Sequence, residues 1–167
     1  MRQIFLFILL IQPLNGMAQP SVQAIYAYSQ KTIPGRPNGI DVGIGPRSPS
    51  PTRYLIYIVL DSNRAISSSS AWVLGKHYSA VLRRVESPVV ISDGSHGYIG
   101  GVDTLVERTL GAVFQVELGK LDEEICQDDV QKSMVRQNDV VVLLKIGQST
   151  WHGTIKQVSM LRPIYGR

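Results

Sequence analysis

The sequence predicts a mostly β protein, a single antiparallel β-sandwich or barrel-like domain with one short helix, and three observations carry that reading. Tyr54-Leu55-Ile56-Tyr57-Ile58-Val59-Leu60 is an unbroken run of β-forming apolar residues, the pattern of a strand buried on both faces. Turn-forming glycines and polar residues recur often enough to cut the chain into seven or eight short strands, as sandwiches and barrels require. No regular alternation of strands with helical periods occurs, which argues against a doubly wound sheet. The 167 residues, 44% hydrophobic and 18% charged, suffice for one domain with a sizeable core. That composition speaks against wholesale disorder, a coiled coil or a collagen-like fibre. A single cysteine excludes a disulfide-stapled miniprotein.

The first eighteen residues have the form of an export signal. Arg2 supplies the basic start, Ile4 to Ile11 the apolar stretch, and Gly16-Met17-Ala18 the small residues that a signal peptidase reads. Cleavage is expected between Ala18 and Gln19. The apolar stretch is about half the roughly 20 residues of a spanning helix, so no transmembrane anchor is expected after cleavage. The product is then exported, periplasmic or extracellular. The scarcity of cysteine and the lack of an Asn-x-Ser/Thr sequon lean towards a bacterial source.

Residues 19–53 read as an N-terminal strand followed by a loop, and 54–167 as the β domain, to which 19–30 also belong. Ala24, Tyr26 and Tyr28 alternate with Ile25 and Ala27, which gives the first strand. Between Ser29 and Arg53, Pro34, Pro37, Pro46, Pro49 and Pro51 are interspersed with Gly35, Gly39, Gly43 and Gly45. That composition opposes both helix and regular strand and predicts an extended excursion. Ala71–Leu74 and His77–Val85 read as a hairpin joined by Gly75-Lys76, a type II′ turn, with Trp72 packing across it. Pro88–Ile91 and Asp103–Glu107 are expected to pair across the glycine-rich loop Asp93–Gly101. In Ala112–Leu118 the alternation turns Phe114, Val116 and Leu118 inward and Gln115 and Glu117 outward.

The helical period appears once, where Ile125, Val130 and Met134 are spaced for a helix near Asp129–Arg136, with Asp128 and Gln131 resembling a capping box. Strand character returns in Asp139–Ile146. It continues after Gly147-Gln148-Ser149 in Thr150–Met160, where Trp151 and Ile155 share one face and His152, Thr154 and Lys156 the other.

Chemistry leaves a fainter trace. A nucleophilic triad needs a hydroxyl or thiol, a histidine to take its proton and a carboxylate to orient that histidine. Asp93-Gly94-Ser95-His96 places all three types in one loop, but no Gly-x-Ser-x-Gly elbow occurs, and side chains so close on a glycine-rich loop are not preorganised. His77 and His152 stand alone in sequence. No histidine or cysteine spacing suits zinc, and Glu123, Glu124, Asp128 and Asp129 lack the alternation of a calcium loop. No Gly-Lys-Ser/Thr follows any glycine pair, so no phosphate loop is present. No catalytic residue, metal ligand or cofactor is therefore assigned. Cys126 sits beside acidic residues that would raise a thiol's pKa, so burial is its expected fate.

The net charge of +4 is too small to argue for nucleic acid. The cations cluster at the two ends, with Lys31, Arg36, Arg47 and Arg53 towards the start and Lys145, Lys156, Arg162 and Arg167 at the finish. Recognition in β domains usually falls to loops, and the two longest are Ser29–Arg53 and Asp93–Gly101. The candidate binding residues are accordingly Arg36, Arg47 and Arg53 on the first and Asp93, His96 and Tyr98 on the second. The expected role is a non-catalytic binding or accessory module that recognises a protein or glycan of the cell envelope or extracellular space, using these loops and exposed aromatics. The competing expectation is a small secreted hydrolase built on His96 with Asp93 and Ser95, or with a partner distant in sequence.

Overall fold

The computed structural model describes residues 22–33, 51–61, 66–92, 102–122 and 129–165. The proposed leader, Arg36, Arg47, Asp93, Ser95, His96, Tyr98, Cys126 and Asp128 lie outside the described residues.

The described chain is mostly β. One curled sheet is built from β1 (Val22–Ile33), β2 (Thr52–Leu60), β3 (Ile66–Val73), β4 (Lys76–Val85), β7 (Ala112–Asp122), β8 (Val140–Ile146), β9 (Ser149–Ile155) and β10 (Ser159–Met160). The strand order is β10-β1-β2-β7-β4-β3-β8-β9, and β11 (Ile164–Tyr165) also pairs with β1. A second sheet consists of the hairpin β5 (Val89–Ser92) and β6 (Val102–Val106). One helix, α1 (Asp129–Gln137), precedes β8, and its end is closed by Asn138, whose side-chain amide donates to the Met134 carbonyl at 2.7 Å. No helix among the described residues is long and apolar enough to cross a membrane.

The sheet curls into a half-barrel because one face of every long strand is apolar. Ile56, Ile58 and Leu60 of β2 are fully buried on the concave side, with Ala27, Ala71, Val73, Val116, Val140, Val142 and Leu144 from the surrounding strands. Phe114, Val116 and Leu118 of β7 face the same way, as their alternation predicts. On the convex side the intervening residues Leu55, Tyr57 and Val59 are buried too, beneath Leu105 and Val106 of the hairpin. The unbroken apolar run of β2 thus reflects two separate cores, one on each face of a single strand. Each such aliphatic side chain contributes about 1.5–3 kcal/mol by leaving water.

Three expectations need correction. Ser29–Ile33 belongs to β1 and not to the proline-rich excursion, since Ser29 pairs with Tyr54, Gln30 with Arg53 and Lys31 with Thr52. The first proline after Ser29 is residue 34, so every backbone N–H from Ser29 to Ile33 can still enter a ladder. Arg53 is consequently a strand residue. The β3–β4 connection is Leu74-Gly75, one residue earlier than predicted, with φ of 49° and 78° and with Val73 opposite Lys76. Two positive φ values make this a type I′ turn, whose twist matches that of the strands it joins. Trp72 does pack across the hairpin, its ring stacked on His77 with centroids 4.5 Å apart. Finally, Thr150–Met160 is not one strand. The chain bends after Ile155, and β10 and β11 then run parallel to β1, so the sheet is not wholly antiparallel. On β9 the Trp151 indole folds over Gly153 and occupies the space that a side chain there would need.

Candidate functional site

Of the six predicted binding residues only Arg53 is described. It is the second residue of β2, exposed, and directly across the ladder from Gln30. Gln30 is 2% exposed and donates through Nε2 to the Arg162 carbonyl at 3.1 Å, which brings the C-terminal run against the same end of β1. Lys31 and Arg162 are exposed beside them. This corner of the half-barrel is cationic, and a carboxylate or sulfate would be drawn to it by a weak, salt-screened field.

The same corner is where β1 ends at Ile33 and the chain is next described at Pro51. This neck is held on both sides. The Thr32 N–H donates to the Pro51 carbonyl at 3.0 Å, and Thr32 and Ile33 pair outward with Ile164 and Tyr165 of β11. The excursion therefore starts from a backbone that is hydrogen-bonded to strands on either flank.

The β5–β6 hairpin packs on the other face of β2, over Leu55, Tyr57 and Val59. Its base lies at the opposite end of the sheet, where Val85 pairs with Val113. There the Ser87 hydroxyl lies 3.2 Å from both the carbonyl and the N–H of Thr109, donating to the first and accepting from the second. From that base the hairpin crosses the convex face of β2. The Tyr28 hydroxyl, opposite Leu55, donates to the Leu105 carbonyl at 2.7 Å. Leu55 lies four residues nearer the start of β2 than Val59, the partner of Val113. The neck at Thr32 and Pro51 and the hairpin contact at Leu105 are thus both fastened to the pair β1 and β2.

The tyrosines around this stem have phenols that ionise less readily than usual. Burial, then the neighbouring Tyr26 and Tyr57, raise Tyr28 above its ordinary value of 10.0. Burial raises Tyr57 as well, against an opposing pull from Arg53. Tyr54, on the concave side, is raised by burial and then by Tyr78 and Asp139. These groups stay neutral at physiological pH and act as hydrogen-bonding and packing groups rather than as bases.

The two described histidines occupy different places. His77 is half-buried on β4, its ring stacked on Trp72. His152 is exposed on β9, opposite Leu143. Strands β3 and β8 intervene, so roughly 14 Å of sheet separates them. The ends of β2, β4 and β9 also meet a carboxylate that sequence reading passed over. Asp139 accepts from the Val158 N–H at 3.0 Å, while its own carbonyl accepts from the Leu74 N–H at 2.7 Å, so it ties the β3–β4 turn to the chain after β9. Tyr28, Gln30, Ser87 and Thr109 were likewise not singled out. Each acts through long-range hydrogen bonds, which leave no local pattern in a sequence.

In comparisons with known proteins, no family model, no curated protein and no solved structure matches this sequence.

Proposed function

We propose that the chain is an exported, non-catalytic binding or accessory module that recognises a protein or glycan of the cell envelope or extracellular space. The observation that supports this reading is the fastening of both stems to one pair of strands: the neck at Ile33 and Pro51, and the β5–β6 hairpin, which Tyr28 holds against β1 and β2. A recognition surface assembled from loops needs those loops to converge, and it needs a scaffold that holds their feet. The hydrogen bonds of Thr32, Tyr28 and Gln30 supply such a scaffold. Arg53 and Lys31 at the neck, with Arg36 and Arg47 in the excursion, would favour an anionic or hydroxyl-rich partner. We read the curled sheet as an open β-barrel, since β1 and β9 approach one another at its two edges.

Deleting Pro34–Pro49 tests the reading. Loop length perturbs stability only slightly when no core contact is lost, so the thermal midpoint should stay within a few degrees. Retention of the purified chain on immobilised envelope material from the producing cell should fall. A deletion that unfolds the protein, or one that leaves retention untouched, places the recognition surface elsewhere.

A further inference from the structure

The curled sheet ends in β9 on one side and, on the other, in the short strands β10 and β11 laid along β1, so the last described residues run from one side to the other. After Ile155 the chain leaves its ladder with β8, bends through Lys156–Val158 and lies along the outer edge of β1. Tyr28 is there paired with Ser159, Ser29 with Met160 and Thr32 with Ile164. Asp139 fastens the bend from both sides. Its carboxylate accepts from the Val158 N–H at 3.0 Å, and its own N–H donates to the Lys156 carbonyl at 3.4 Å.

Beyond the bend the attachments are few. Leu161 donates to the Ser29 carbonyl at 2.9 Å, and the Arg162 carbonyl accepts from Gln30 at 3.1 Å. Val158 packs on the concave core and Leu161 on the convex one. Ser159, Met160, Arg162 and Pro163 are exposed, Met160 to 75%. The two ladders span two residues each. A segment with so few buried contacts opens locally far more often than the core does. Opening it uncovers the N–H and C=O groups along Tyr28–Ile33, and an uncovered strand edge readily takes up another extended segment.

One segment matches that edge by construction, namely the same run in a second copy of this chain. It brings the same parallel register, the same leucine for the convex core and the same carbonyl for Gln30. Exchange is reciprocal, each β1 receiving the other's strap, and therefore closes as a two-fold dimer rather than growing into a fibre. We propose that the outer edge of β1 is a strand-exchange surface on which residues 159–165 of a second copy replace the chain's own, with Lys156–Val158 as hinge and Asp139 as latch.

Register supplies the test. In the full chain with Cys126→Ser, the substitutions Ser29→Cys and Met160→Cys place a thiol pair on adjacent, paired positions, close enough for a disulfide. After equilibration over a range of protein concentrations, the sample is oxidised with copper phenanthroline and resolved by mass under denaturing conditions. Exchange predicts intramolecular links in dilute solution and a disulfide-linked dimer fraction that rises in proportion to protein concentration until it saturates. Peptide mapping should place the link between position 29 of one copy and position 160 of the other. Asp139→Ala should raise the dimer fraction several-fold at a given concentration. The concentration series does not depend on that variant, so its misfolding would not spare the proposal. Intramolecular links alone at every concentration would overturn it, and so would a dimer lacking the inter-chain link.

Discussion

Strands β2 and β9 belong to the same sheet and differ in what lies above them. β2 runs through the middle, with β1 and β7 as neighbours, the concave core on one face and the β5–β6 hairpin on the other. β9 pairs with β8 along one side. Trp151, Gly153 and Ile155 look inward, while Thr150, His152 and Thr154 are exposed. The sequences record this difference directly. Leu55 to Leu60 contains no polar residue, because neither face meets water, whereas β9 alternates because one face does. In this protein, then, the length of an unbroken apolar run reports the number of covered faces rather than the strength of a strand.

The largest effect that would break the comparison is expected inside β2. Ile58 is fully buried in the concave core, and its neighbours on β1 and β7 are held in register by continuous ladders, so they can collapse only partly into a cavity. Ile58→Ala should cost about 2–5 kcal/mol, read from chemical denaturation with an unchanged slope. A cost well below that range would mean that the half-barrel relaxes as a loosely packed shell.

The next effect concerns the covered outer face. Val59 is 3% exposed beneath the hairpin, among Leu55, Tyr57, Val113 and Val106. Threonine has nearly the shape of valine, so Val59→Thr tests the apolar cover while leaving volume almost untouched. A hydroxyl placed there without a partner should cost about 1–3 kcal/mol. A neutral result would show that the hairpin lifts away readily and that the second core is weak.

What was legible in the sequence follows from the same contrast. Periodicity disclosed β1, β2, β7, the hairpin strands β5 and β6, and α1, because each of these patterns is local and is repeated over several residues. It did not disclose that the chain would leave β8 at Ile155 and cross to β1. That turn is determined by Asp139 and Gln30, which act across 19 and 132 residues respectively. The Leu74-Gly75 turn was misplaced by one residue for a related reason. Leucine rarely adopts positive φ, so only the pairing of Val73 with Lys76 reveals it. The candidate site was less legible than the fold. Of the residues that composition marked, only Arg53 is described, and Tyr28 reaching Leu105, a contact between residues 77 apart, leaves no trace in composition.

The smallest effect sharpens the comparison most. Thr154 is exposed on the outer face of β9, opposite Val141, and it is the uncovered counterpart of Val59. Thr154→Val makes the reverse exchange at constant shape. Its hydroxyl faces water in the folded and unfolded chain alike, so removing it takes away no buried hydrogen bond, and the β-branched form that suits a strand is kept. The change in stability should stay within about 0.5 kcal/mol, the range of exposed sites remote from caps and cores. Measured beside Val59→Thr in the same denaturation series, the pair separates covering from composition, since both replacements trade one methyl for one hydroxyl. If Thr154→Val stabilised the chain by more than about 1 kcal/mol, a valine there would be leaving water on folding. The outer face of β9 would then be covered in solution, and the distinction between the two strands would fail at its weaker end.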